Sequence, residues 1–84
     1  MDIGVEISLY PLNSDYIPPI KSFIERINTY PRVKITTSSM STQIFGSYAD
    51  VMRLLERELG ATFEQDGKCV FVMKVLGPFT PPGD

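Results

Sequence analysis

The residues best able to do chemistry are a run of hydroxyl side chains at positions 36–42 and a single carboxylate, Glu6. Every position of the run except Met40 carries a hydroxyl group. Small donors and acceptors beside an adaptable methionine suit a flat polar heterocycle, because Met packs well against ring faces. A carboxylate can accept hydrogen bonds from an amino group or balance a cation. Together they predict a binding site for a small polar molecule.

Each of these features also has a purely structural interpretation. Glu6 would then be a solvated strand carboxylate, or the partner of Lys74 on a neighbouring strand. The hydroxyl run would be a polar strand edge near a turn, since threonine is a good strand former. Tyr10 and Tyr16 would be core or subunit-interface aromatics with their hydroxyls in water, rather than rings that stack on a ligand.

Composition excludes several classes of function. The 84 residues include no His and one Cys, Cys69, so His-dependent catalysis, disulfides and paired-thiolate metal sites are not expected. A net charge of −2 argues against binding to nucleic acid. No nucleophile–base pair stands out, so we expect no catalytic residues and no enzyme activity. The sequence carries neither a signal peptide nor an apolar run long enough to cross a membrane, so we expect a cytoplasmic domain.

The elements that would position these residues follow from periodicity. Residues 3–10 alternate between apolar and polar positions, which predicts a strand with one buried face. The pattern S-x-x-D from Ser47 to Asp50 predicts the start of a helix that runs to about Phe63, with Gly60 near its end. The other predictions are a helix at 16–28, strands at 33–42, 43–46 and 69–76, and a turn at 65–68.

The order βαββαβ predicts an α+β, ferredoxin-like fold, with a four-stranded antiparallel sheet and two helices on one face. We expect one domain over residues 1–77 and a tail over 78–84, disordered from position 80. The helix-free face would carry polar and apolar side chains together, and a second subunit is the simplest cover for it. Side chains expected there include Glu6, Ser8, Tyr10, Thr36 and Ser38.

Three segments carry a resemblance to a known family. They are residues 5–12 (VEISLYPL), residues 41–46 (STQIFG) and residues 70–75 (VFVMKV). In this order they resemble the small thiamine-binding proteins, the single-domain relatives of YkoF. The resemblance covers nearly the whole chain, from about Val5 to Leu76. Ser47 departs from it, because the family pattern leads us to expect an acidic residue after the glycine.

The resemblance implies a ferredoxin-like domain that assembles into homodimers or homotetramers and binds thiamine or its hydroxymethylpyrimidine part. No glycine-rich loop followed by Lys is present, so free thiamine is expected rather than its diphosphate. No cofactor or metal is expected. The alternative is a structural or regulatory oligomerisation module without a thiamine site. The candidate ligand-binding residues are Glu6, Ser8, Tyr10, Ser38, Met40, Ser41, Thr42, Gln43, Phe45 and Gly46.

Overall fold

The computed structural model describes residues 1–79 and contains four strands and two helices. Among these residues, neither helix is long and apolar enough to cross a bilayer. The elements in chain order are β1 (Asp2–Pro11), α1 (Ile17–Ile27), β2 (Lys34–Thr37), β3 (Thr42–Ser47), α2 (Tyr48–Asp66) and β4 (Cys69–Leu76).

The strands form one antiparallel sheet in the order β2-β3-β1-β4, which confirms the predicted ferredoxin-like architecture. β1 lies at the centre and pairs with β3 on one side and with β4 on the other. In this register Glu6 lies opposite Gln43 of β3 and Lys74 of β4. Nζ of Lys74 is 3.7 Å from Oε1 of Glu6, so the predicted pairing of these two residues is present.

The core lies between the sheet and the two helices. The alternation predicted for β1 places Ile3, Val5 and Ile7 at 2% exposure or less, because successive strand residues point to opposite faces. α1 contributes Phe23 and α2 contributes Leu54 to the same core. Burying each such side chain stabilises the fold by about 1.5–3 kcal/mol relative to leaving it in water.

Both helices begin as their sequences predict. In α1 a proline stands in the first turn, where its missing N–H is not needed. At the start of α2, Oγ of Ser47 accepts a 3.1 Å hydrogen bond from the backbone N–H of Asp50, which confirms the predicted cap. Asp50 also lies in the first turn of α2, where its charge interacts favourably with the helix dipole.

Two element boundaries differ from prediction by more than one residue. The strand predicted at 33–42 is shorter, because β2 ends at Thr37 and residues 38–41 form a turn. α2 passes through Gly60 and ends at Asp66, so the turn predicted at 65–68 begins two residues late. A glycine within a long helix costs only about 1 kcal/mol, which the packing of α2 on the sheet outweighs. The tail predicted to be disordered from position 80 lies outside the described residues.

A polar network joins the two helices on their outer side. Nε of Arg26 in α1 donates a 2.7 Å hydrogen bond to Oε1 of Glu58 in α2. The same guanidinium donates to Oγ1 of Thr62 at 2.6 Å. The hydroxyl of Tyr30 donates to the other oxygen of Glu58 at 2.7 Å. The guanidinium group of Arg26 is planar and rigid, and it donates hydrogen bonds to several acceptors at once. The network therefore fixes the packing of α1 against α2.

Candidate functional site

A cavity of about 370 Å³ opens where β1, the first turns of α1 and the β2–β3 turn meet. β1 gives it both apolar and polar groups, and α1 adds a wall of isoleucine and phenylalanine side chains. Among the described residues that line it, none is Lys or Arg. They are Ile7, Ser8, Leu9, Tyr10, Pro11, Tyr16, Ile20, Phe23, Ile24, Thr37, Ser38, Ser39, Met40, Ser41 and Thr42.

The β2–β3 turn that overhangs this cavity is organised by Ser38. Its hydroxyl accepts hydrogen bonds from the backbone N–H groups of Met40 (3.2 Å) and Ser41 (3.3 Å). Its own N–H donates to the carbonyl of Ser41 at 2.9 Å. A serine that bonds to the backbone two and three residues later is typical of a turn and competes with strand structure. Ser38 therefore shapes the turn, while Met40 stands at its tip, 85% exposed.

The wall formed by β1 is an open strand edge. The pairing of β1 with β3 stops at Ile7 and Thr42, whereas its pairing with β4 continues to Pro11. From Ser8 onward, the backbone groups that point towards β3 have no strand partner among residues 1–79. In an antiparallel strand such groups present N–H donors and C=O acceptors side by side. A planar ligand that carries its own donor and acceptor can pair with this edge.

Glu6 lies next to the cavity rather than among its lining residues. Its Oε2 accepts a 3.0 Å hydrogen bond from the hydroxyl of Ser41, which does line the cavity. Lys74 approaches from the other side, but its side chain is 85% exposed, so solvent screens the ion pair strongly. Glu6 thus places a negative charge one side chain away from the cavity.

Two tyrosines stand at the mouth of the cavity. Tyr10 at the end of β1 is 54% exposed, and Tyr16 before α1 is 55% exposed. Both line the cavity. An aromatic face attracts a cation and stacks on a flat ring. The structure thus brings together Tyr10, which we predicted as a site residue, and Tyr16, which we did not.

The structure gathers six of the ten predicted site residues around one cavity. The other four lie elsewhere: Glu6 beside it, Gln43 opposite Glu6, and Phe45 and Gly46 farther along β3. A side chain at Gly46 would lie 3.1–3.3 Å from atoms of Val33, Arg32 and Val51. Because Gly46 has no side chain, the α1–β2 loop can pack closely against β3. This packing explains the glycine, and no role in ligand binding is needed to explain it. The six that line the cavity are Ser8, Tyr10, Ser38, Met40, Ser41 and Thr42.

Sequence reasoning missed the α1 side of the cavity. Ile20 and Ile24 fall on the apolar side of the predicted helix at 16–28, a position that is typical of core residues. Both are only partly buried and line the cavity. The available signal was the position of α1 directly after the first strand, because the first turns of that helix must lie near the end of β1.

The open face of the sheet, the one that carries no helix, is polar at its centre and apolar along β4. Val70, Val72 and Leu76 are 44–56% exposed. At the far corner Phe79 packs against Phe45, with ring centroids 5.8 Å apart, and both rings lie over Gly4. The paired residues that belong to this face are Gly4, Glu6, Ser8, Tyr10, Lys34, Thr36, Gln43, Phe45, Val70, Val72, Lys74 and Leu76.

Two titratable groups outside the cavity have displaced pKa values. Burial, followed by the hydrogen bond to Glu58, raises the pKa of the Tyr30 hydroxyl above its ordinary value. Burial, followed by the nearby charge of Asp66, raises the pKa of the Cys69 thiol. Cys69 is therefore a poor nucleophile at neutral pH, since the thiolate is the reactive form. Within residues 1–79, no three acidic, His or Cys side chains are grouped as metal ligands would be.

Comparison with known proteins shows the family to which this chain belongs. The model of the YKOF-related family matches residues 2–75, which is most of the chain. The chain belongs to this family, and the predicted resemblance to YkoF relatives is confirmed. Among curated protein sequences, none matches the chain.

Solved structures share the fold at low sequence identity. One is a "putative thiamine biosynthesis/salvage protein" (TM0486) from Thermotoga maritima, with 17% identity, a TM-score of 0.82, and coverage of 90% of this chain and 83% of that one. Another is SP2199 from Streptococcus pneumoniae, with 21% identity, a TM-score of 0.82, and coverage of 89% and 84%. A hypothetical protein, MJ1052 from Methanocaldococcus jannascii, has 20% identity, a TM-score of 0.75, and coverage of 88% and 77%.

Proposed function

We propose that this chain is a non-catalytic binding protein for thiamine or its hydroxymethylpyrimidine part, with the ligand in the cavity between β1, α1 and the β2–β3 turn. The observation that carries the proposal is the open β1 edge inside that cavity. An aminopyrimidine has an amino donor beside a ring-nitrogen acceptor. That arrangement matches the alternating donors and acceptors of an unpaired strand edge.

The size and lining of the cavity support the same ligand class. Its volume of about 370 Å³ is at the lower end of small-molecule pockets, which span about 300–1,000 Å³. Ile20 and Ile24 offer an apolar wall to a ring face, and the nearby Met40 is a flexible neighbour. Membership of the YKOF-related family and the fold shared with the Thermotoga maritima protein named for thiamine biosynthesis or salvage point the same way.

The charge around the cavity supports a cation over an anion. Glu6 lies one side chain away, and the rings of Tyr10 and Tyr16 stand at the mouth. A thiazolium ring is favoured near a carboxylate and above aromatic faces. A diphosphate would meet no basic side chain among the described lining residues. The ligand is therefore free thiamine or its pyrimidine rather than thiamine diphosphate.

Binding without conversion is the remaining part of this proposal. The hydroxyl of Ser41 has a carboxylate, Glu6, as its hydrogen-bonding neighbour. This carboxylate is half exposed to solvent and is also engaged by Lys74, so it activates the hydroxyl poorly. Storage, transport or sensing of the ligand all fit a protein that binds it unchanged.

A second copy of the chain is the proposed partner, placed on the open face of the sheet. The exposed apolar side chains of Val70, Val72 and Leu76 make contact with water unfavourable along β4. Covering them with the same residues of a second copy removes this cost. These side chains are also the observation that favours the second candidate function, an oligomerisation module that binds no thiamine.

Calorimetric titration of the purified protein tests the proposal. Thiamine, hydroxymethylpyrimidine and thiamine diphosphate are titrated separately, and Tyr16→Ala is compared with its matched control Tyr48→Ala. We expect thiamine to bind with a Kd of about 1 μM or tighter, which corresponds to about −8 kcal/mol. Tyr16→Ala weakens binding and Tyr48→Ala does not. Absence of heat with all three compounds on a well-folded oligomer favours the oligomerisation module. Diphosphate binding that is tighter than thiamine binding and that Tyr16→Ala weakens contradicts the site.

A further inference from the structure

A second recess, of about 210 Å³, lies at the opposite end of β3 from the cavity. It forms where the loop between α1 and β2 meets the first half of α2. Three of the four arginines in the chain border it, Arg32 from the loop and Arg53 and Arg57 from α2. Asp50 is the one acidic side chain among the described lining residues. A chain with a net charge of −2 thus concentrates positive charge in one place.

Nearby carboxylates leave most of this positive charge uncompensated. Glu58 is occupied, because its two oxygens accept hydrogen bonds from Arg26 and Tyr30, each at 2.7 Å. Asp50 is 3.8 Å from Arg53, whose side chain is 60% exposed, so solvent screens the attraction. Arg53 and Arg57 are four positions apart on one helix face, where like charges repel.

The walls of the recess are held in place by packing. The α1–β2 loop lies so close to β3 that a side chain at Gly46 would come within 3.2 Å of the carbonyl oxygen of Arg32. At the start of the same loop, the N–H of Tyr30 donates to the carbonyl of Ile27 at 3.2 Å. The backbone that carries Arg32 is therefore fixed against β3 before any ligand arrives, which lowers the entropic cost of binding.

We propose that Arg32, Arg53 and Arg57 form a binding site for a phosphoryl group, either free or as part of a small organic phosphate. Guanidinium groups match phosphate oxygens with paired N–H donors, and three of them can neutralise a doubly charged anion. The recess is smaller than pockets for whole drug-sized molecules, so it holds the phosphoryl group and little more. This inference does not depend on the proposed thiamine cavity, which lies at the other end of the sheet.

Nuclear magnetic resonance of the backbone amides tests this site with inorganic phosphate and inorganic diphosphate as probes. Sodium chloride keeps the ionic strength constant throughout, so that general charge screening does not change. We expect saturable shifts in the loop around Arg32 and in the first half of α2. Arg57→Gln should weaken binding by about tenfold, as expected for loss of one charge-assisted contact. Arg57→Lys should give an intermediate affinity, because lysine keeps the positive charge but lacks the paired N–H donors of the guanidinium group.

Lys68→Gln is the matched control, since it removes one positive charge from an exposed position outside the recess. Its affinity for phosphate should equal that of the natural chain. Equal weakening by Lys68→Gln and Arg57→Gln would overturn the proposal, because binding would then follow net charge alone. Absence of saturable shifts with both probes, or shifts centred on other residues, would also overturn it. Titration of each variant with an organic phosphate monoester then distinguishes a free phosphate ion from a larger ligand.

Discussion

Ser41 donates a 3.0 Å hydrogen bond from its hydroxyl to Oε2 of Glu6, which lies 35 positions earlier in the chain. The bond connects the turn that overhangs the cavity to the carboxylate at the centre of the sheet. A ligand that displaces the hydroxyl of Ser41 gains a hydrogen bond to a charged acceptor in its place. The polar side of the proposed site therefore rests on these two residues.

Replacement of Glu6 by Gln tests the role of this carboxylate. The change keeps the shape of the side chain and removes its charge. We expect thiamine to bind about ten- to a hundredfold more weakly, because a hydrogen bond to a charged group contributes about 1.5–3 kcal/mol. Calorimetry measures the affinity and sedimentation measures the oligomer. Glu64→Gln, at an exposed position of α2, is the matched control. If Glu6→Gln retains full affinity and the same oligomer, the site is misplaced.

Replacement of Val72 by Asp tests self-association through the open face. Val72 is 54% exposed in the single chain and would be buried between two copies. An unpaired carboxylate in such an interface costs about 3 kcal/mol or more, so the dimer should dissociate about a hundredfold more readily. Analytical ultracentrifugation measures this change. Ile17→Asp, which alters an equally exposed residue on α1, should leave the association unchanged. An unaltered oligomer in Val72→Asp would place the interface elsewhere.

Replacing Gly60 or Gly46 by alanine should change the free energy of unfolding in opposite directions. A side chain at Gly60 meets nothing within 4 Å, and the position is inside α2. Gly60→Ala should therefore raise the free energy of unfolding by about 1 kcal/mol. Gly46→Ala should lower it by about 1–3 kcal/mol, because the added carbon crowds Val33, Val51 and the backbone of Arg32. Urea denaturation measures both. Stabilisation by Gly46→Ala would refute the close approach of the α1–β2 loop.

The hydrogen bond from Tyr30 to Glu58 makes stability depend on pH in the alkaline range. Burial and this bond raise the pKa of Tyr30 in the folded chain, so the folded state holds its proton more tightly than the unfolded state does. The contribution of Tyr30 to the free energy of unfolding is therefore constant below about pH 10, the ordinary tyrosine value, and falls as pH rises through the folded pKa. Tyr30→Phe should be less stable at pH 7 by about 1 kcal/mol and should lose part of the alkaline decline.

Urea denaturation between pH 7 and pH 11, compared between Tyr30→Phe and the natural chain, measures this effect. The raised pKa of Cys69 contributes an alkaline decline of its own, and it cancels in the comparison because both proteins contain that thiol. Tyr48→Phe is the control, since Tyr48 is exposed. Parallel pH curves for Tyr30→Phe and the natural chain would show that Tyr30 titrates alike in both states.

Local sequence patterns were sufficient to predict most of the fold. The alternation of Ile3, Val5 and Ile7 fixed both the existence of β1 and the face that it buries. The pairing of Glu6 with Lys74 followed from placing the first and last strands side by side. The cap at Ser47 followed from a short motif whose hydrogen bond is local.

The boundary between β2 and its turn was not predictable in the same way. Threonine and serine are compatible with a strand and with a turn, and no Asn-Gly pair marks where the turn begins. Ser38 decides the outcome through hydrogen bonds to Met40 and Ser41, which are visible only in three dimensions. The contribution of Ile20 to the cavity was likewise hidden, because helical periodicity gives the apolar side of α1 but not which part of it stays uncovered.

The packing of Phe79 over Gly4 affects where a label can be attached to this protein. The N–H of Phe79 donates to the carbonyl of Asp2, so the chain is attached to the open face at this residue. A bulky group attached next to Phe79 would therefore lie close to the surface proposed for self-association. Met1 instead lies beside the first turn of α2, where its carbonyl accepts from Tyr48. A label placed beside Met1 is therefore a better choice for measuring assembly than one placed beside Phe79.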